Sequence, residues 1–338
     1  MKNRLKQVVK IATFIMVGLF IFWLVYRDQD FNVLLNSVEN ANFYWLLLSL
    51  FLGILSHVSR AMRWNLLIRP MGYKPRLVNS FFSVMIMYLT NMAIPRSGEV
   101  VRCGVLSNYE KIPFTRLLGT VFIERIFDFL VLLLLLFIVV VTQFDVLASL
   151  LTNNPAIVDN VSKMIHSTPL LLIIGLFFIG IILVIYFNRK RLMQLNVYKK
   201  LEALFLNFIS GVITIKNMEN RGWFIAHSLF IWAMYFSMFY ISFFAFPFTS
   251  HLSVLTGLTV FVVASFGMVA PSPGGMGTWH FMVIESLFVY GISRDPDGKA
   301  FALAVHGIQN LMLIILGIIS YILLPIVNKN NTAEQASV

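Results

Sequence analysis

Long apolar runs restrict this chain to one class of fold. Six stretches, 8–26, 43–68, 117–142, 169–187, 223–247 and 300–325, are each apolar enough over about 18 residues or more to cross a bilayer as a helix. Only 12% of the 338 residues are charged, whereas a soluble domain carries about a quarter. Lipid offers no partner to a free backbone N–H or C=O, so a spanning segment must be a helix or part of a closed barrel. No segment alternates with the two-residue period of a barrel strand. The fold class is therefore an all-α polytopic membrane protein. The basic residues 1–10 lead into the run 8–26 and resemble a signal peptide, but no small-residue cleavage site follows. That run is expected to be a retained span.

Two further apolar stretches, 78–94 and 252–290, are interrupted by helix-breaking residues. The first leads into Asn91-Met-Ala-Ile-Pro95-Arg96-Ser-Gly98-Glu99-Val-Val-Arg102, and the second contains Gly267-Met-Val-Ala-Pro271-Ser-Pro273-Gly274-Gly275-Met-Gly277-Thr-Trp-His280. Asn91 and Gly267 each precede a proline by four residues, and Gly98 and Gly274 each follow one by three. Transporters often place their substrate site where two such breaks meet.

Charge placement suggests a topology. Arg189-Lys-Arg191, Lys199, Lys200, Lys216 and Arg221 fall with the N-terminus, 69–76, 96–116 and the C-terminus in one set of loops. The opposite set, 27–42, 143–168, 248–251 and 291–299, holds Arg27, Lys163, Arg294 and Lys299 and is otherwise acidic. The positive-inside bias then predicts cytoplasmic termini in an inner-membrane protein. The net charge of +11 reads as a collar facing anionic lipid, with no nucleic-acid partner. On this topology 78–94 dips in from the cytoplasm and 252–290 from outside, giving six full spans plus two re-entrant helix pairs in an inverted repeat. The expected organisation is a single membrane domain. A first span and outer loop occupy 1–42, a first repeat occupies 43–142 with re-entrant segment 78–102, and a connecting span and amphipathic stretch occupy 143–222. A second repeat occupies 223–325, with a polar tail at 326–338.

The polar residues inside these apolar stretches are the candidates for function. Backbone freed by Pro95 and Gly98 at a new helix start offers N–H groups to an anion, and Arg96 and Arg102 would reinforce that site. Glu99 could pair with either arginine. The competing reading is a loop with snorkelling arginines. Glu124, Arg125 and Asp128 open the next span, and the two carboxylates share one helix face. Such a pair could hold the arginines of the first break, take up protons, or simply fix the fold. His57, Arg60 and Arg63 repeat every three residues, and the deeper Arg60 is placed to meet a lipid phosphate. Three glycines and two prolines make the second break a bare turn, followed by His280 and Glu285. In the last span His306, Gln309 and Asn310 share a face, where polar groups could also just join helices. Cys103 is the one cysteine, no metal-ligand spacing appears among the six His, and no nucleotide loop is present. No cofactor, metal or catalytic group is expected.

With these residues in view, the chain resembles the lysylphosphatidylglycerol synthetase transmembrane-region family, also described as flippase-like membrane proteins. The resemblance rests on Asn91, Pro95, Arg96, Gly98, Glu99 and Arg102, on Glu124-Arg125-x-x-Asp128, on Pro273-Gly274-Gly275-x-Gly277, and on Arg60 with Arg63-Trp64. It departs where the family usually carries Glu, at His280. The resemblance implies a membrane translocase part without a soluble aminoacyl-tRNA-dependent synthase domain. The expected partner is a membrane phospholipid or polyprenyl-linked lipid, and a homo-oligomer stays open. A membrane-embedded transferase, with Glu99 or Glu124 as base, and a non-transporting assembly partner are the alternatives.

Overall fold

A computed structural model describes residues 40–152, 218–270 and 272–329, with a few isolated positions between 206 and 216. The expected spans 8–26 and 169–187, most of the amphipathic stretch, Pro271 and the polar tail from 330 lie outside the described residues.

The regular structure of the described residues is helical, with no strand among them. In chain order the helices are α1 (Phe43–Ile68), α2 (Leu77–Ala93), α3 (Gly98–Glu110), α4 (Phe114–Thr142), α5 (Phe144–Thr152), α6 (Arg221–Ile241), α7 (Val254–Gly267), α8 (Thr278–Val289) and α9 (Lys299–Val327). Four continuous helical segments are long and apolar enough to cross a membrane: Phe43–Met71, Phe114–Thr142, Arg221–Ala245 and Arg294–Val327. They correspond within a few residues to the runs 43–68, 117–142, 223–247 and 300–325. The short helix α5 was not expected.

Helices α2, α3, α7 and α8 are shorter, at 17, 13, 14 and 12 residues. Each falls below the roughly 20 residues of a full crossing, and each pair is separated by one of the two breaks. Serines within the long helix α1 find partners on their own backbone. Ser49 and Ser56 donate to the carbonyls of Leu46 and Gly53 at 2.7 and 2.6 Å, as lipid-embedded polar groups must. Asn42 starts α1 by accepting the Tyr44 N–H at 3.1 Å, and Ser253 starts α7 by accepting from Thr256 at 3.1 Å.

Two main apolar cores form. One gathers Phe239, Phe243 and Phe246 of the α6 end with Trp279, Val283 and Phe301. The other gathers Trp64, Val84, Met85, Cys103, Leu106 and Leu117 from the helices of the first half. Between these cores lies the space that the polar residues share.

Candidate functional site

The first break is a helix hairpin closed by its own signature residues. α2 ends at Ala93 and α3 starts at Gly98. The Gly98 N–H donates to Asn91 Oδ1 at 2.8 Å, satisfying one of the orphan donors of a helix start. A Cβ at Gly98 would overlap the Met87 carbonyl oxygen, so only glycine lets α3 approach α2 this closely. Between them Arg96 adopts a positive φ of 61°.

The second break is built from glycines in the left-handed region. Gly274, Gly275 and Gly277 have φ of 56°, 76° and 82°, and Pro273–Gly275 form a single 3₁₀ turn. Thr278 Oγ1 donates to the Gly267 carbonyl at 2.7 Å. A side chain at Gly267 would meet the Thr278 carbonyl at 2.9 Å. The glycine and the threonine thus hold the ends of α7 and α8 together across the break.

The two breaks touch. The Arg96 guanidinium donates to the Val269 carbonyl oxygen. Met92 Sδ sits where a Cβ on Gly274 would come within 2.5 Å. The Gly274 carbonyl in turn is 3.0 Å from His306 Nε2, so that ring nitrogen must carry a proton to donate. Asn310 Nδ2 then approaches His306 Nδ1 at 3.2 Å as its donor. The Trp279 ring stacks on His306 at 4.7 Å and 16°. His280 faces His306 edge-on at 4.7 Å, and its Nδ1 accepts the Gly277 N–H at 3.2 Å.

Beside these tips lies a buried charge cluster from three helices. Arg60 and Arg63 come from α1, Arg102 from α3, and Glu124, Arg125 and Asp128 from α4. The side chains of Arg63, Arg102 and Glu124 are fully buried. Arg102 pairs with Glu124 and lies over the Trp64 ring at 4.5 Å, whose indole N–H donates to Thr120 at 2.9 Å. Arg63 donates to Asp128 at 2.7 Å and to Ser228 at 3.1 Å, and lies 3.6 Å from Glu124. Arg125 reaches Asp128 at 2.8 Å, and Arg60 is 3.8 Å from it. Arg60 also lies over Tyr88 and Tyr235 at 5.8 and 5.7 Å. The two phenol oxygens are 3.0 Å apart.

Four guanidiniums therefore stand against two carboxylates. Buried charge of that imbalance is costly unless something anionic shares the space. Several donors have no hydrogen-bond partner among the described residues, Arg60 Nε, Arg125 Nε and Trp232 Nε1 among them. Arg60, Arg125 and Trp232 all line one cavity of about 350 Å³. Its walls also carry His57, Tyr88, Asn91, Glu99 and Asp128 from the first half, and Tyr235, Trp279, His306, Gln309 and Asn310 from the second. Glu99 pairs with neither Arg96 nor Arg102. Its Oε2 is buried without a partner. With it counted, the cluster sets four guanidiniums against three carboxylates, while the cavity wall itself carries Arg60 and Arg125 with Glu99 and Asp128.

The remaining candidates take other places. Arg96 lies at the contact of the breaks and not on the cavity wall. Pro95 sits in the bend between α2 and α3, and His280 is buried beneath the second turn. Glu285 does not join the face of His306, Gln309 and Asn310. It forms a bidentate pair with Arg294 at 2.8 Å for both bonds, and Arg294 covers the Phe288 ring at 3.5 Å. Tyr88, Tyr235, Trp232 and Ser228 were not singled out in the sequence, because an aromatic or serine in an apolar helix carries no sign of which face it takes. Among the described residues no group of three His, Cys, Asp or Glu could hold a metal ion.

The chain is similar to two UPF0104 membrane proteins of Methanocaldococcus jannaschii. One is 25% identical over 323 residues, covering 89% of this chain and 89% of the relative. The other is 25% identical over 257 residues, covering 73% of this chain and 97% of the relative. No solved structure matches. The model of one family, the lysylphosphatidylglycerol synthase TM region, matches residues 7–317, and the chain belongs to that family.

Proposed function

We propose that this membrane protein translocates a lipid or lipid-linked headgroup across the cytoplasmic membrane. The observation that carries the reading is the set of unpartnered donors, Arg60 Nε, Arg125 Nε and Trp232 Nε1, on residues lining a 350 Å³ cavity beside the meeting point of two broken helices. An anionic phosphodiester headgroup is the class of ligand that accepts from such donors, and the arginine excess of the adjoining cluster favours its charge. Arg60 and Arg125 would hold the phosphate. Glu124 and Asp128 keep the remaining arginines oriented while the headgroup is absent, and Tyr88 and Tyr235 flank Arg60. No bond is made or broken, and no cofactor takes part.

The two short helix pairs, α2–α3 and α7–α8, then act as re-entrant hairpins entering from opposite faces. They form the central elements of an inverted repeat in a protein with both termini cytoplasmic. The contact of Arg96 with Val269 would be the gate between the hairpins. Substrates are membrane phospholipids or polyprenyl-linked lipids, and assembly as a homo-oligomer is compatible with this scheme.

Reconstitution in liposomes containing a fluorescent phospholipid tests it. Wild-type protein should speed movement of the probe between leaflets, and Arg60→Gln should remove that effect without loss of folded protein. Absence of movement for every headgroup tried, polyprenyl phosphate included, would overturn the proposal.

A further inference from the structure

A second lipid-shaped feature lies on the outside of the helix bundle, away from the central cavity. Three hollows follow the groove between α1 and the start of α6 and merge through shared walls. The innermost, of about 370 Å³, is almost wholly apolar and is lined by residues such as Leu55, Val58 and Phe230. Met62, Trp223 and His227 carry it into a second hollow of about 380 Å³. Arg69 and Asn220 carry that one into a third of about 260 Å³, which ends at Lys74 and Glu219. The Ser59 hydroxyl and His227 Nδ1, 2.8 Å apart, join the two helices along this path.

The groove changes character as a phospholipid does. From Leu55 to Arg69 it follows fourteen residues of α1, about 21 Å at the rise of an α-helix. One leaflet of hydrocarbon is about 15 Å deep, so the apolar part accommodates a single leaflet's acyl chain and the remainder reaches the headgroup level. Trp223 is 65% exposed beside that boundary, where an indole with one polar edge is favoured. Beyond it two cations, Arg69 and Lys74, face one carboxylate, Glu219. No hydrogen bond or ion pair occupies either cationic side chain among the described residues.

We infer that this groove is a binding site for an anionic phospholipid, with one acyl chain along Leu55, Val58 and Phe230 and the phosphate between Arg69 and Lys74. The site is independent of translocation and would be filled in a protein that moves no lipid. The cations select an anionic over a zwitterionic headgroup by charge alone, worth about fivefold in local enrichment for each of them.

Tryptophan quenching reads this directly. The full-length protein is placed in phosphatidylcholine vesicles in which a minor fraction is brominated phosphatidylglycerol or, in parallel, brominated phosphatidylcholine. The signal of Trp223 is the difference between wild type and Trp223→Phe. Brominated phosphatidylglycerol should quench it several-fold more than brominated phosphatidylcholine at the same mole fraction. Arg69→Gln with Lys74→Gln should remove the preference, and Glu219→Gln should strengthen it. Equal quenching by the two lipids in wild type would overturn the inference. So would no quenching by either, which would mean that another segment of the chain fills the groove. A preference unmoved by both sets of substitutions would place the anionic lipid elsewhere and equally refute it.

Discussion

Glu124→Gln isolates the electrostatics of the buried cluster. The substitution keeps the shape of the side chain and one carbonyl oxygen but removes the charge. Glu124 is fully buried between Arg102 and Arg63. Arg63 would still hold Asp128 at 2.7 Å, whereas Arg102 has no other ion-pair partner among the described residues. Its stacking on Trp64 at 4.5 Å would persist, but cation–π attraction of about 2 kcal/mol does not replace a counterion. Removing one partner of a buried pair costs about 3–5 kcal/mol. The low end applies here, because one of the two arginines keeps its anion. At roughly 2–4 °C per kcal/mol, the unfolding midpoint of the purified protein should fall by about 6–12 °C. Arg102→Gln should cost a similar amount. The double variant should be less destabilised than the sum of the two by at least about 1 kcal/mol, because it leaves no orphaned charge. Additive losses, or a Glu124→Gln protein within about 0.5 kcal/mol of wild type, would refute the account of Glu124 as the counterion of Arg102.

Gly98→Ala sets a methyl group against the Met87 carbonyl and should cost about 1–3 kcal/mol by overpacking, read as a lower unfolding midpoint. Gly274→Ala combines a positive φ of 56° with a clash at Met92. It should loosen the contact of the two breaks, read as a lower unfolding midpoint. Arg96→Ala should abolish lipid movement in liposomes while leaving expression and thermal stability near wild type, since Arg96 is exposed and makes one contact across the breaks. Glu285→Gln should lower thermal stability only slightly and leave lipid movement unchanged, because its partner Arg294 lies away from the cavity and is partly exposed.

Much of the site could be read in the chain. Arg60, Arg63, Glu124, Arg125 and Asp128 stood out because a charge inside an apolar helix is too costly to be incidental, and Arg102 because it follows the first break. The structure gathers all six. Which carboxylate holds which arginine was not legible. Pairing depends on the rotation and depth of α1, α3 and α4, and Glu99, expected to serve Arg96 or Arg102, is left facing the cavity instead. The partner of Glu285 was hidden for the same reason: after the second break it stood beside His280 in the sequence, and the structure pairs it with Arg294, nine residues along its own chain. The aromatic residues around Arg60 carried no sequence signal, since phenylalanine, tyrosine and tryptophan are everywhere in these helices.

Hydropathy and the two proline–glycine breaks determined the class of this protein and the places where its helices stop. Both are local consequences of what lipid demands of the backbone and of what proline and glycine do to a helix. The meeting of those breaks at Arg96 and Val269, and the excess of arginine in the charge cluster beside the cavity, were decided only by tertiary packing. Side chains from helices far apart in sequence share a low-dielectric space there, and neither their partners nor their net charge exists until the helices have docked.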